Sequence, residues 1–420
     1  MKFIITVLCF LLGFSSYSQD VNFECVKNNI FEIDEISSKE NFSDIQFLKN
    51  ILQGKKIVLL GEAGHQDGTT FLMKTALIKY LVEEHGFNTL ALEGGSFSNL
   101  NNPNLDSKLL PSALLKMYWY PLWSYSKETS GLLAYLDEMQ SSSPVKIVGI
   151  DPQMDFGNSF DFIDSINVFF GKQGYVSDYI DWNVLRSFKE NHDKAIYDSR
   201  SGKEFSKTLF PSEWEWLELK NNMEKLKEIF ESSPSHLFDN VKSLYFLKCI
   251  NNALHWSKRF LSNLEDIKEQ DKMIKERDLL MFENLMWYVN KYPEEKIIVW
   301  SANFHIAHSL DKIIYTPDSS FYKFMIPLGH HVKEQFEEKS YNIAFTSDYY
   351  NKAMEDAFTF ERFLFDETDS RYVFINTESM QESCKNLFFR SEILGNIHKG
   401  QWFRSFDGVF FIRNMYRSTF

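Results

Sequence analysis

The run Ile57-Val58-Leu59-Leu60-Gly61-Glu62-Ala63-Gly64-His65 decides the fold class. Four apolar residues in succession, without alternation, form a strand covered on both faces, as in a parallel sheet flanked by helices. The strand stops on a glycine, and an acid and an imidazole follow at once. The pattern recurs three times. Thr89-Leu90-Ala91-Leu92 runs into Glu93-Gly94-Gly95, Lys146-Ile147-Val148-Gly149-Ile150 into Asp151-Pro152-Gln153, and Ile297-Ile298-Val299-Trp300 into Ser301-Ala302-Asn303-Phe304-His305. In open α/β sheets ligands bind beyond the carboxyl ends of the strands. If these strands are neighbours, that edge collects Glu62, His65, Glu93, Asp151, Asn303 and His305.

Outward from these runs, strands are expected near 56–61, 89–93, 145–150, 296–301, 341–346, 371–376 and 408–413. Between the first two, Met73, Leu77 and Leu81 make one helical ridge and Phe71, Ile78 and Val82 a second, predicting a helix over 69–84. A second helix, about 130–140, precedes the third strand, so the chain opens with two crossover units of a parallel sheet. The middle differs. No glycine occurs from Lys203 to Leu328, and the text is charged and 3.6-periodic. Ser212-Glu213-Trp214-Glu215 reads as a capping box opening a helix to about 232, and further helices cover roughly 236–262 and 265–290. The fold class is α/β: a mainly parallel sheet with flanking helices, interrupted by a helical insertion. The expected division is 1–18 a signal peptide, 19–154 the first half of the core, 155–290 the insertion and 291–420 the second half.

Composition narrows the function. Hydrophobic content of 44% with 40 Phe among 420 residues implies an aromatic core and excludes a disordered chain. A net charge of −13 argues against a nucleic-acid partner, since phosphate binding runs on Lys and Arg. At the N-terminus Lys2 precedes an apolar stretch from Phe3 to Phe14, too short to span a bilayer, and Ser16 and Ser18 supply small residues for cleavage. An exported protein, periplasmic or secreted and free of the membrane after cleavage, is the expectation. Cys25, Cys249 and Cys384 remain, an odd and widely spaced set without a CxxC. They form no disulfide framework or zinc cluster; one disulfide is open to them, in a pairing the sequence does not identify.

The chemistry centres on His65. A histidine beside a carboxylate is the usual general-base arrangement, the acid orienting the ring and raising its basicity. Glu93 at the mouth of a dry sheet is costly unless paired or in use. Catalytic roles are expected for His65, Glu62, Glu93 and His305, and substrate contacts for Asp151 and Asn303. Met117-Tyr118-Trp119-Tyr120-Pro121-Leu122-Trp123-Ser124-Tyr125 packs five rings into nine residues, and Trp119 and Trp123 are expected to wall an apolar pocket. No GxSxG elbow and no HExxH is present, so neither a serine nucleophile nor a metal ligand pair is indicated.

Taken jointly, Gly61-Glu62-Ala63-Gly64-His65, Ala91-Leu92-Glu93, Trp123 with Glu128 and Leu132, Gly149-Ile150-Asp151, Arg277-Asp278 with Asn284, and Lys296 to Trp300 leading to Asn303 and His305 resemble the erythromycin esterases. So does the closing Phe406-Asp407-Gly408-Val409-Phe410-Phe411. The resemblance implies an α/β core with a helical addition and hydrolysis of a small-molecule ester, a macrolide lactone among the candidates, by activated water without metal or other cofactor. It makes His65 the general base, with Glu62 and Glu93 in the same cleft and His305 matching the second His of the family's Trp-Ala-His-Asn-x-His stretch. Ala302 stands where that stretch has its first His, and Gln66 to Thr70 replace the usual Gly-Thr-x-Glu-Phe. The alternative is a metal-dependent hydrolase, or a metal- or haem-binding protein of related fold, with Glu62, His65, Glu93 and His305 as ligands.

Overall fold

The computed structural model describes residues 23–35, 42–105, 108–174, 178–200, 212–232, 240–261, 267–314, 325–348 and 358–420. The expected signal peptide, 1–18, lies outside them. Eleven strands are formed among these residues: β1 Ile30–Ile33, β2 Ile57–Leu60, β3 Thr89–Ser96, β4 Lys146–Asp151, β5 Ile297–Trp300, β6 Ile313–Ile314, β7 Ser340–Ser347, β8 Tyr372–Asn376, β9 Phe389–Ser391, β10 His398–Gly400 and β11 Gly408–Ile412. The main sheet runs β1-β8-β11-β7-β2-β5-β3-β4. Its six strands from β11 to β4 are parallel, while β8 and β1 add an antiparallel edge. All seven expected strands are present, and β5 lies between β2 and β3, so the strands carrying Glu62, Ser301, Glu93 and Asp151 stand side by side.

The apolar runs alternate between two cores. Ile57, Leu59, Val299 and Val409 face one layer with Met281, Leu285 and Tyr288, while Val58, Leu60, Ile298 and Phe410 face the other with Phe71, Leu77 and Leu132. Both faces being dry is why the strands show no polar alternation. The helix Gly68–His85 covers one face and ends on Gly86, whose left-handed φ of 68° lets its N–H reach Leu81 O.

Among the described residues between β4 and β5 are five long helices: Phe162–Lys172, Trp182–Arg200, Glu213–Ser232, Asn240–Leu261 and Ile267–Lys291. The first four build a core of their own around Trp216, Met223, Phe246 and Ile250. The capping box is formed, Ser212 Oγ receiving Glu215 N–H and Glu215 Oε2 receiving Ser212 N–H. The last helix belongs to both layers: its later residues Met281, Leu285 and Val289 join the sheet core. That packing lays its middle turn over the carboxyl ends of β3 and β4. Cys25 and Cys384 are disulfide-bonded, and Cys249 is free and buried. Among the described residues no helix is long and apolar enough to cross a membrane.

Candidate active site

Glu62 leaves β2 and is shut off from solvent, with donors on both oxygens. Its Oε2 receives Lys74 Nζ at 2.7 Å, and its Oε1 receives Trp123 Nε1 at 2.8 Å and lies 2.9 Å from His65 Nδ1. Lys74 sits in the helix Gly68–His85, also donates to Ser301 O at 3.1 Å, and rests 4.2 Å over the Trp300 ring. With Nδ1–H directed at Glu62, the Nε2 lone pair of His65 is the one left to the solvent side, where the side chain is 46% exposed. Burial works against the charged ring, but the Glu62 hydrogen bond and the Glu93 charge outweigh it and lift His65 above its ordinary 6.5. Gly61 makes the turn possible by close approach: a Cβ there would lie 2.0 Å from Asn303 Oδ1.

Glu93 ends the regular part of β3. Its Oε2 accepts Ser301 Oγ at 2.6 Å and Ala302 N–H at 2.7 Å; its Oε1 lies 3.2 Å from His305 Nε2 and 3.4 Å from Arg277 Nη2. Burial raises its pKa, but the charges of His305, Arg277 and His65 reverse this and hold it well below the carboxylate range. His305 is gripped on both nitrogens, by Glu93 and by Asp278 at 2.9 Å. Burial disfavours its charge, yet Asp278 and Glu93 push it up to about 10. At neutral pH it is an imidazolium and a donor, not a base. Arg277 Nη1, 3.2 Å from His305 Nε2, therefore faces another donor. The remaining guanidinium edge is committed to Asp151, Nη2–Oδ2 at 2.6 Å and Nε–Oδ1 at 3.2 Å.

Thus the structure brings Glu62, His65, Glu93 and His305 into one connected cluster. The residues expected to touch substrate stand behind it. Trp119 is fully buried with Nε1 on Glu93 O, and Trp123, 2% exposed, stacks on Trp119 and meets the His65 ring edge-on at 5.1 Å. They back the site as core rather than walling a pocket. Pro121 starts the short helix Pro121–Ser124, as a residue without a donor does well at a first turn. Asp151, 1% exposed, anchors Arg277 and accepts Gly94 N–H at 2.9 Å. Gly94 has φ 65°, and a Cβ there would lie 2.2 Å from Tyr120. Asn303, fully buried, pairs with the Phe345 backbone through Nδ2 and Oδ1, fixing β5 to β7.

Sequence reasoning passed over Lys74 and gave Arg277 and Asp278 no role. Lys74 had a signal: it falls where the Phe71, Ile78, Val82 ridge needs an apolar residue. Arg277 and Asp278 are hidden among the charges of a long helix. The four residues named as alternative metal ligands come together, but engaged with other groups: both nitrogens of His305 face acids and Glu62 is spent on Lys74, Trp123 and His65. Among the described residues no group of three or more His, Cys, Asp or Glu is arranged to hold a metal ion.

The family model described as "Erythromycin esterase" matches residues 82–360, a span containing Glu93, Asp151, Arg277, Asp278, Asn303 and His305. Among curated proteins, the chain is similar to the "Putative hydrolase YbfO" of Bacillus subtilis (strain 168), 27% identical over 324 residues, 73% of this chain and 68% of that protein. It is also similar to "Erythromycin esterase type II" of Escherichia coli, 22% identical over 327 residues, 73% of each. Among solved structures, an open-conformation mutant of the erythromycin esterase EreC shares the fold with a TM-score of 0.65 at 17% identity, over 93% of this chain and 98% of that one. A Bacillus cereus protein does so with a TM-score of 0.66 at 18% identity, over 94% and 97%. The buried acid, imidazole and guanidinium cluster at the sheet edge thus sits in a chain that belongs to the erythromycin esterase family.

Proposed function

We propose that this protein hydrolyses a small-molecule ester with water activated at His65. The observation that carries the reading is the half-exposed His65 ring, tied at Nδ1 to a Glu62 that Lys74 and Trp123 hold in place. Such a ring presents a basic Nε2 outward in a fixed tautomer. Nε2 takes a proton as the water oxygen bonds to the ester carbonyl carbon. When the tetrahedral intermediate collapses, the carbon–alkoxide bond breaks and Nε2 returns the proton to the leaving oxygen, giving an acid and an alcohol. Arg277 Nη1, which bonds no carboxylate among the described residues, is the cationic donor left for the oxyanion as it develops, and Asp151 and Glu93 fix the guanidinium from its other nitrogens.

A macrolide lactone is the first substrate to test, on the family membership and the name of the Escherichia coli relative. Ala302, where the family's stretch has its first His, removes one imidazole from the rim, so a panel of simple aryl and acyl esters belongs in the same assay. Mass spectrometry should find drug or ester heavier by one water, or split into acid and alcohol. An untouched panel, with purified and folded protein, sinks the reading. Turnover is expected to persist after chelation, because His305 has both nitrogens on acids and Glu62 is spent on Lys74, Trp123 and His65; its loss on chelation and return with a divalent ion would favour the metal alternative. We further propose export, on the N-terminal apolar stretch and the Cys25–Cys384 bond.

A further inference from the structure

Beneath the His65 loop lie two glutamates that the proposed reaction does not use. Glu361, in the first turn of the helix Phe360–Glu367, is fully buried. Its Oε1 accepts Thr346 Oγ1 at 2.8 Å, Ser391 Oγ at 2.6 Å and Glu392 N–H at 3.0 Å, while its Oε2 has no partner among the described residues. Glu392 is 2% exposed, and neither of its oxygens has a hydrogen-bond partner among the described residues. A carboxylate without donors is expensive to bury, and a second acid beside it adds repulsion. The neutral acid is the form this site tolerates.

We propose that Glu361 and Glu392 form a buried carboxyl pair that keeps Glu392 protonated and makes the turn beneath the His65 loop responsive to pH. Burial first, then the charges of Glu361 and Asp348, push Glu392 up to about 8. Glu361 is also raised, by burial, against the pull of its hydroxyl and backbone donors. Glu361 faces Glu392 from the helix and Asp348 from the end of β7; Arg362, next to Glu361, turns instead to Asp348 at 3.8 Å and Asp366 at 3.2 Å. The mechanical link is the turn Ser391 to Gly395. Gly395 N–H closes it on Glu392 O at 2.7 Å, and Ile393 O accepts Asn303 Nδ2 at 2.5 Å. Gly395, at φ 81°, lies so close to Ala63 that a Cβ would come within 2.9 Å of its carbonyl oxygen. Asn303 N–H in turn holds Glu62 O at 2.9 Å. Ionising Glu392 puts a charge with no donor among the described residues at the base of this turn.

The inference stands on the fold and survives or fails apart from the hydrolase reading. Urea unfolding of the full chain and of Glu392→Gln, compared from pH 5 to 9, tests it. An acid with a raised folded pKa keeps a proton that the unfolded chain has lost, so its share of stability falls as pH rises from about 4.5 to about 8 and then levels. Relative to Glu392→Gln, the wild-type unfolding constant should rise about tenfold per pH unit in that window. The cleanest span is pH 5 to 6.5, below the point where histidines of raised pKa contribute. Parallel curves for the two proteins overturn the proposal. Infrared titration of the wild type needs no variant: a protonated-carboxyl band present at pH 6 and lost near pH 8 is expected, and its absence at pH 6 overturns the proposal. Hydrogen exchange tests the link. The Ile393, Gly395 and Ala63 amides should lose more protection above pH 8 in wild type than in Glu392→Gln, and equal loss in both overturns the coupling to the loop.

Discussion

The Lys74 ammonium and the Glu62 carboxylate meet at 2.7 Å with both side chains fully sealed from solvent. Neither charge has water to fall back on, so each requires the other. Burial lowers the Lys74 pKa more than the Glu62 charge restores it, a sign of how dry the pair is. Removing one partner of a buried pair costs about 3–5 kcal/mol, because the survivor is stranded. Lys74→Met should therefore lower stability by that order and weaken turnover, since Glu62 loses the donor that aims it at His65. Lys74→Met with Glu62→Gln removes both charges and should unfold less readily than Lys74→Met alone. Denaturant midpoints for the two variants and the wild type check this; equal losses for single and double variants would assign Lys74 a packing role.

His305 should act as a fixed cation. Its folded pKa, near 10, lies far above the unfolded value of 6.5, so the stabilisation it brings is complete below 6.5 and is lost as pH rises toward 10. His305→Gln keeps the volume but not the charge, leaving Glu93 and Asp278 short of a counter-ion. Its stability should fall at pH 6.5 and converge on the wild type as pH approaches 10. Calorimetric scans across that range would show it, and a constant gap between the two proteins would contradict the assigned charge.

The strands were legible because both faces of the sheet are dry, and dry strands such as Ile57–Leu60 and Ile297–Trp300 stand out as unbroken apolar text. β1 was not, being a four-residue edge whose Ile30-Phe31-Glu32-Ile33 pairs on one side with β8. Glu62, His65 and His305 were legible because each follows a strand end by a few residues, and Glu93 because it closes the regular part of β3. Arg277 and Asp278 reach the site from a helix more than a hundred residues beyond β4, and only the packing of Met281 and Leu285 on the sheet says which face of that helix turns inward. Burial was the other blind spot. Aromatic text such as Tyr118 to Tyr125 fits a pocket wall and a packed core equally, and the Trp119 and Trp123 indole donors decide for the core by ending on Glu93 O and Glu62 Oε1.

The Cys25–Cys384 bond closes a loop of 359 residues in sequence separation, tying the start of the described chain to the segment after β8. A cross-link of this kind stabilises by about 2–5 kcal/mol, chiefly through the unfolded chain. Cys384→Ser should lower the denaturation midpoint by that order under oxidising conditions. A thiol reductant should bring the wild type down to the variant and leave the variant unchanged. Identical midpoints with and without reductant in the wild type would mean the bond does not contribute.

His65 should set the pH dependence of turnover. The neutral ring is the base, and its pKa lies above 6.5, so log kcat/KM should climb with unit slope at acid pH and level only above that raised value. His65→Ala removes the base, and general-base catalysis is worth roughly a hundredfold to ten-thousandfold, so the remaining rate should be lower by that factor and lack the limb. The fold should be nearly untouched, because the side chain is 46% exposed and its partner Glu62 keeps Lys74 and Trp123. Stability points the other way: what His65 contributes is complete below 6.5 and lost as pH rises through the folded value, so activity rises as this small stabilisation is given up. Rate profiles and melting curves on the same two proteins separate the effects. A folded His65→Ala that retains the wild-type profile would move the base elsewhere, because the proton taken from water would then have gone to another group.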